Sequence, residues 1–465
     1  MVKYKEVSDA VVEALIDIVG KENVHVDRGT LERYQTDEEQ DPRHFHLPEV
    51  VVAPGSTEEV AGIMRLANEY MIPVTPRGGG TSVSDGAIPV YGGIVLLLER
   101  LNKILEINPE GMYMEVEAGV PTLLIQQKAK EYGLFYAGDP CSAESCLIGG
   151  NLATNAGGNK AVRYGTTRHQ VYSLEAVTPT GDIVELGARL KKCSTGYCLD
   201  QLIMGSEGTL GIITKATLKL LPLAPYKFDV LAIFTEVEKA TGIVPVLAKA
   251  GLNPTSVEFM DNSFVRASSD YSELKLPHYE DGNYVIITVE TFDEDELDRK
   301  MELLADLCQA HGATDVLAAD DRVWTLRRNC LEATRILSKV STSDDLVVPV
   351  DKIALAINHL CQVAAAYPFK VFTLAHAGDG NLHFQILKGE LTDEEWEDNL
   401  NSFHGKAYAY IYALGGRLSG EHGIGAKKVD QMEHYTHPVE LKLMKSIKTA
   451  LDPLGILNPG KVFNI

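Results

Sequence analysis

Two histidines face each other across a glycine-broken turn, His376-Ala377-Gly378-Asp379-Gly380-Asn381-Leu382-His383. A later segment, Gly420-Glu421-His422-Gly423, adds a carboxylate and a third imidazole. Imidazole nitrogens and a carboxylate oxygen aimed at one point suit a borderline divalent metal with an open coordination position. A separate signal lies upstream, in Pro76-Arg77-Gly78-Gly79-Gly80-Thr81-Ser82. Consecutive glycines there let backbone N–H groups approach an anion closely. A metal site together with a phosphate-binding loop points to a cofactor enzyme acting on a small anionic substrate.

On the residues alone, His376 and His383 fit a metal site and a hydrogen-bonded hairpin equally well. On a regular strand Glu421 and His422 would face opposite sides. Gly420, Gly423 and Gly425 break that regularity, so a loop can aim both inward. The triple glycine by itself is equally a mobile loop. It is no Walker loop, since no Gly-Lys-Ser/Thr follows, and Val83 breaks Gly-x-Gly-x-x-Gly. Two further segments shift the balance. Ile148-Gly149-Gly150-Asn151-Leu152-Ala153-Thr154-Asn155-Ala156-Gly157-Gly158 combines close-approach glycines with amide and hydroxyl groups, and Gly205-Ser206-Glu207-Gly208-Thr209-Leu210-Gly211-Ile212 is a third small-residue loop. Three such loops in the first half of the chain are hard to read as unrelated turns.

In order and spacing, the Gly78-Gly79-Gly80-Thr81-Ser82 loop, the Asn155-Ala156-Gly157-Gly158 loop with Tyr164-Gly165 after it, and Gly205 to Gly211 resemble the FAD-binding domain of the vanillyl-alcohol oxidase superfamily, in its branch of D-2-hydroxy acid dehydrogenases. The resemblance covers nearly the whole chain. It implies an α+β fold: an FAD-binding domain over residues 1–222, a substrate or cap domain over 223–414 with an antiparallel sheet covered by helices, and a C-terminal segment, 415–465, that returns to the FAD domain and completes the active site. It implies FAD, contacted by Arg77, Gly78, Gly79, Gly80, Thr81, Ser82, Pro140, Ser145, Gly149, Gly150, Asn151, Thr154, Asn155, Gly157, Gly158, Glu207, Gly208, Gly211 and Ile212, and since nothing marks a histidine or cysteine as a covalent tether the FAD is expected to be non-covalent.

The same resemblance implies a divalent metal, iron or zinc, on His376, His383 and Glu421, with His422 as general base. It places Arg327, in Trp324-Thr325-Leu326-Arg327-Arg328 at the opening of a helix, as the cation that binds the substrate carboxylate. A planar guanidinium suits that bidentate grip, and Arg328 is left to the solvated face. The implied reaction oxidises a D-2-hydroxy acid to a 2-oxo acid with hydride transfer to the flavin. Within the branch the likeness is greatest to lactate dehydrogenase subunits that pass electrons to an electron-transferring flavoprotein, where NAD reduction is coupled to ferredoxin oxidation. Glycolate and D-2-hydroxyglutarate stay open, because one methyl group gives weak discrimination. Two other classes share features with the chain. An NADPH-dependent reductase of an enol-ether nucleotide sugar has this FAD domain, but the histidine–glutamate set argues against it; the other is a non-catalytic metal- or nucleotide-binding module.

Composition sets outer bounds. At 465 residues two domains or more are expected, and 45% apolar with 23% charged residues is ordinary for a globular protein. Acidic residues outnumber basic ones, 65 to 43, and the net charge of −22 disfavours nucleic acid and anionic membrane surfaces. No apolar run nears the roughly 20 residues of a membrane span. Met1 to Glu6 leads into a charged amphipathic stretch and not a secretory core, so the expected location is the cytoplasm. Seven cysteines make no disulfide framework. Cys141 with Cys146 and Cys193 with Cys198 lack the Cys-x-x-Cys of common iron–sulfur clusters and read as ordinary thiols.

The elements that must position these residues follow from periodicity. Val50 to Ala53 reads as a strand, Ser56 caps a helix through Glu59 with Val60, Ile63, Met64 and Ala67 inward, and Ile72 to Thr75 returns as a strand into the glycine loop. Ile94 to Leu98 is a buried strand, and the prolines near 222–225 mark a domain boundary. Beyond them strand–helix–strand units recur: strands at 229–234, 255–259, 284–289, near Val316 and at 370–376, with helices at 237–250, 293–310 and 353–366 and the last unit starting at Leu346. That pattern predicts an antiparallel sheet with helices on one face. Residues 415–465 are expected to be rich in loops, with Asp452 to Lys461 packing back on the first domain.

Overall fold

The computed structural model describes residues 4–38 and 42–464; Met1, Val2 and Lys3 of the expected amphipathic start lie outside the described residues. The chain forms two compact units. The first takes residues up to Gly157, Thr166–Leu223 and His422 onward; the second takes Gly158–Gly165 and Ala224–Glu421.

In the first unit Ser56 accepts the Glu59 N–H at 3.2 Å and starts the helix Thr57–Tyr70. The Glu59 carboxylate reaches past the cap to the N–H of Gly55. Val60, Ala61, Ile63, Met64 and Ala67 point into the core, and Met71 ends the helix in the left-handed region. That helix and Asp9–Val19 pack on a four-stranded sheet ordered Val24–His25, Val50–Val52, Ile94–Leu97, Val74–Arg77. Ile94–Leu97 has parallel partners on both sides, which is why it reads as an unbroken apolar run. The strand before the glycine loop is Val74–Arg77, two residues later than expected, because Pro73 has no N–H for the ladder. A second sheet of five antiparallel strands runs Ile104–Asn108, Tyr113–Glu117, Ile212–Lys219, Val171–Val177, Ile183–Gly187.

The end of the chain completes this unit. Leu457 bridges Val74 in parallel, and Ile456 and Leu457 join the core formed by Val50, Val52, Ile94 and Leu96. The stretch after His422 is more helical than expected, with Val429–Tyr435 and Pro438–Leu451. Surface positions such as Val439 and Leu443 are apolar, which blurs the amphipathic pattern of the second helix. Buried Lys448 fastens it: its Nζ donates to Thr209 O (2.7 Å), Leu457 O (2.7 Å) and Asp452 Oδ2 (2.6 Å). Lys448→Met should lower unfolding free energy by about 3 kcal/mol, because Asp452 is left buried without its cation. Urea titration of both proteins checks this, and an unchanged midpoint would refute it.

The second unit is built on seven antiparallel strands, ordered Asp315–Ala318, Tyr226–Phe234, Asn283–Thr291, Ser256–Met260, Lys370–His376, Asn381–Leu387, Ser341–Val347. Helices cover both faces, not one. Val237–Lys249, Glu294–Ala310 and Ile353–Ala364 were expected; Asn262–Ser272, Asp321–Arg328 and Cys330–Leu337 pack through Phe264, Val265, Leu326 and Cys330 on Ile286, Leu374 and Leu387. Those three are shorter than the three that were expected. Trp324–Arg328 closes the helix Asp321–Arg328, whose cap is Asp320, instead of opening one. Among the described residues no helix is long and apolar enough to cross a membrane.

Candidate active site

The turn at 376–381 joins Lys370–His376 to Asn381–Leu387 as a β-hairpin. Gly380 sits at φ +85°, where an added Cβ would collide with the Val348 carbonyl, so glycine is required. His376 pairs with Asn381, and His383 stands two residues farther along, so both imidazoles emerge on one face of the sheet. Their ring centroids are 5.1 Å apart. Glu421 Oε1 lies 3.2 Å from His376 Nε2 and 3.2 Å from His383 Nε2. The three candidate ligand atoms therefore lie within 4.8 Å of one another.

Two residues missed in the sequence hold this set. Glu258, in Ser256–Met260 and directly opposite His376, takes His376 Nδ1 on Oε1 at 2.8 Å. Its other oxygen meets Arg327, Nη2 at 2.8 Å and Nε at 3.1 Å. Asp345, opposite His383 in the register, grips the Glu421 loop. Its Oδ2 accepts from Ser419 Oγ (2.5 Å) and from the N–H groups of Gly420 and Glu421 (both 3.0 Å), and its Oδ1 accepts Asn381 Nδ2 (2.6 Å). A signal existed for Glu258: a lone carboxylate in an otherwise apolar strand, as in Val257-Glu258-Phe259-Met260, must have a buried partner.

Burial alone would push the Glu421 carboxyl up, but His376 and His383 outweigh it and hold it well below the usual carboxylate range. Burial would likewise lower His376, and Glu258 with Glu421 reverse this, so the imidazole sits well above its ordinary value. Asp379, in the turn, is pushed up to about 7 by burial, with Glu258 and Glu421 adding to the shift and His376 opposing it. Two imidazole nitrogens and one anionic oxygen, with His376 Nδ1 tied to a carboxylate, make the donor chemistry of a zinc or non-haem iron site. The donor set fits such an ion.

In the first unit the three glycine segments converge. A Cβ at Gly79 would collide with the Ser145 carbonyl, and one at Gly78 would lie 3.6 Å from Gly150 N. Glu207 N donates to Ala153 O at 2.8 Å, Gly205 N to Leu152 O at 3.0 Å, and Gly208 (φ +67°) packs on the Pro76 ring. Gly149 lies against Ala118, and Gly211 leads into Ile212, which is buried beside Val177. Pro140 O accepts the Ala143 N–H.

Several polar side chains expected to touch the cofactor make hydrogen bonds within these loops. Asn151 Oδ1 accepts Thr122 Oγ1, Thr154 Oγ1 donates to Gly150 O, and Asn155 Oδ1 accepts Thr166 Oγ1 and Arg168 N. Ser82 Oγ accepts the N–H groups of Ser84 and Gly86. Arg77 Nη1 donates to Thr36 O at 2.7 Å while its guanidinium lies against Gly80. Thr81 follows Gly80 in the loop. Gly157 ends its stretch of the first unit, and Gly158 begins a stretch of the second. What remains is a cradle of glycine backbone, which fits a pyrophosphate. Gly79→Val should weaken FAD binding about 10- to 100-fold, through roughly 1–3 kcal/mol of overpacking against Ser145. Flavin retained on gel filtration at wild-type stoichiometry would contradict that.

His422 belongs to the first unit, where its backbone is fixed. Ser84 Oγ donates to His422 O at 2.9 Å, and both Glu207 oxygens accept from the next residues, Ile424 N at 2.8 Å and Gly425 N at 2.7 Å. The Glu207 carboxylate thus anchors the histidine loop.

Comparison with known proteins finds two family models along the chain. Residues 48–187 match the FAD binding domain model, and residues 226–462 match the C-terminal domain of FAD linked oxidases. The chain belongs to the FAD-linked oxidase family. It is 39% identical over 419 residues to a D-lactate dehydrogenase of Archaeoglobus fulgidus, covering 89% of this chain and 91% of that one. It is 34% identical over 456 residues to the glycolate oxidase subunit GlcD of Bacillus subtilis, covering 97% and 96%. The solved structure of p-cresol methylhydroxylase superposes with a TM-score of 0.80 at 18% identity, over 97% of this chain and 96% of that one, a likeness of fold alone. The family fold is therefore the vanillyl-alcohol oxidase type of FAD domain with a mixed C-terminal domain, as the glycine loops implied.

Proposed function

We propose that this protein is an FAD-dependent D-2-hydroxy acid dehydrogenase that oxidises D-lactate to pyruvate. The observation that carries this reading is the convergence of His376, His383 and Glu421, braced by Glu258 and Asp345, in a family member whose relatives include D-lactate dehydrogenases. FAD, when bound along Gly78–Gly80, Gly149–Gly150 and Gly205–Gly208, supplies the acceptor for two electrons and the α-hydrogen. A divalent iron or zinc ion, when held by His376, His383 and Glu421, supplies Lewis acidity toward the substrate hydroxyl and carboxylate oxygens.

The chain's own residues do the rest. His422, joined to Glu421 by one peptide bond, takes the hydroxyl proton on its imidazole, a group suited to proton transfer near neutral pH. Asp345 keeps Glu421 in register, and Glu258 presents His376 with its Nδ1 engaged and Nε2 toward Glu421. The sequence expectation gave the substrate carboxylate to Arg327; the Nε–Nη2 edge of that side chain faces Glu258.

The electrons then pass to an electron-transferring flavoprotein partner, with NAD reduction coupled to ferredoxin oxidation outside this chain, and the protein acts in the cytoplasm. The seven cysteines, none of them in a disulfide, and the lack of a second dinucleotide fingerprint in the sequence support this reading. The likeness to GlcD favours a second substrate, glycolate, with a different electron acceptor. Anaerobic mixing with D-lactate, L-lactate, glycolate and D-2-hydroxyglutarate separates these readings. D-lactate is expected to bleach the flavin fastest; fastest bleaching by glycolate would move the assignment to the second reading, and bleaching by none would end both.

A further inference from the structure

Glu258 is fully buried, and both of its oxygens have side-chain partners. Oε1 meets His376 Nδ1 at 2.8 Å, and Oε2 meets the Nε–Nη2 edge of Arg327 at 3.1 and 2.8 Å. Arg327 is itself buried. All three residues lie in the second unit, on Lys370–His376, Ser256–Met260 and the last turn of Asp321–Arg328. We propose that Arg327 acts through Glu258 as a positioning residue for the metal ligand His376, so that its substitution weakens metal binding before any substrate is present. The inference rests on the metal reading above.

The geometry gives each member one task. A carboxylate accepting the Nδ1–H of an imidazole fixes both the tautomer and the ring plane, leaving Nε2 as the electron-pair donor. Here Nε2 is the nitrogen 3.2 Å from Glu421 Oε1. A carboxylate with no solvent is poorly tolerated as an anion without a cation and donors of its own. Arg327 supplies both, and a guanidinium edge is rigid, so it sets the carboxylate rotation as well as its charge. Lysine would keep the charge and lose that rigidity.

Metal affinity measured without hydroxy acid separates this role from a substrate clamp. Wild type, Arg327→Lys and Glu258→Gln are stripped, checked for bound flavin and for thermal midpoint, then titrated with Zn(II) alone against a chelating dye. Both variants are expected to bind about 10- to 100-fold more weakly than wild type while keeping their flavin. Wild-type Zn(II) affinity in Arg327→Lys, joined to a raised KM for D-lactate, would overturn the proposal and make Arg327 a clamp. If Glu258→Gln does not fold, Arg327→Lys decides alone, since it keeps the buried charge. A wild-type protein that binds no metal and turns over unchanged in chelator would instead sink the metal reading itself.

Discussion

Glu421→Ala should give a protein that keeps its flavin but loses its metal and turns over D-lactate at least about 1,000-fold more slowly, since Lewis acidity at such a site contributes several kcal/mol to the barrier. The effect should be local. Asp345 holds this loop through the backbone N–H groups of Gly420 and Glu421 and the Ser419 hydroxyl, none of which the substitution removes. What disappears is the one oxygen 3.2 Å from both Nε2 atoms, leaving two imidazoles to hold an ion that needs three protein ligands. Chelation of the wild type should reproduce the loss and added metal should reverse it. Elemental analysis and steady-state rates give the answer; wild-type metal content with wild-type turnover in Glu421→Ala would remove the carboxylate from the site.

His422→Ala should leave flavin and metal in place and slow turnover by about 100- to 10,000-fold, the range for loss of a general base. The alanine variant keeps the anchors of its loop, because Ser84 binds the carbonyl of residue 422 and Glu207 binds the N–H groups of Ile424 and Gly425. A fall in rate can then be read as lost proton transfer and not as a displaced loop. Near-normal turnover in this variant would mean that another group takes the proton.

The parts legible in the sequence are those where one residue type has one physical use. Consecutive glycines announced close approach, and the approach of Gly79 to the Ser145 carbonyl is of that kind. The His376–His383 spacing around Gly378 and Gly380 pointed to a turn that lets both imidazoles face one point, and with His376 paired to Asn381, His383 two residues on keeps to the same face. Harder to read were residues whose role depends on a distant partner. Glu258 is 118 positions from His376 and Asp345 is 76 from Glu421, and no local pattern links either pair. The hydrogen bonds by which Asn151, Asn155 and Glu207 hold their loops were likewise not legible, because each partner is distant in sequence. The helix Asn262–Ser272 was missed, and the one holding Arg327 was expected to open at Trp324 where it in fact begins at Asp321.

The parallel pairing of Leu457 with Val74, and the place of Ile456 and Leu457 in the first unit's core, bear on how the protein is made. Domains usually fold in the order in which they leave the ribosome. Here Ile456 and Leu457 complete a core begun by Val50 to Leu96, so that core stays incomplete while the second unit is translated. Newly made protein therefore passes through a stage with an exposed strand edge beside Val74, and chaperone demand during synthesis should be greatest at that stage.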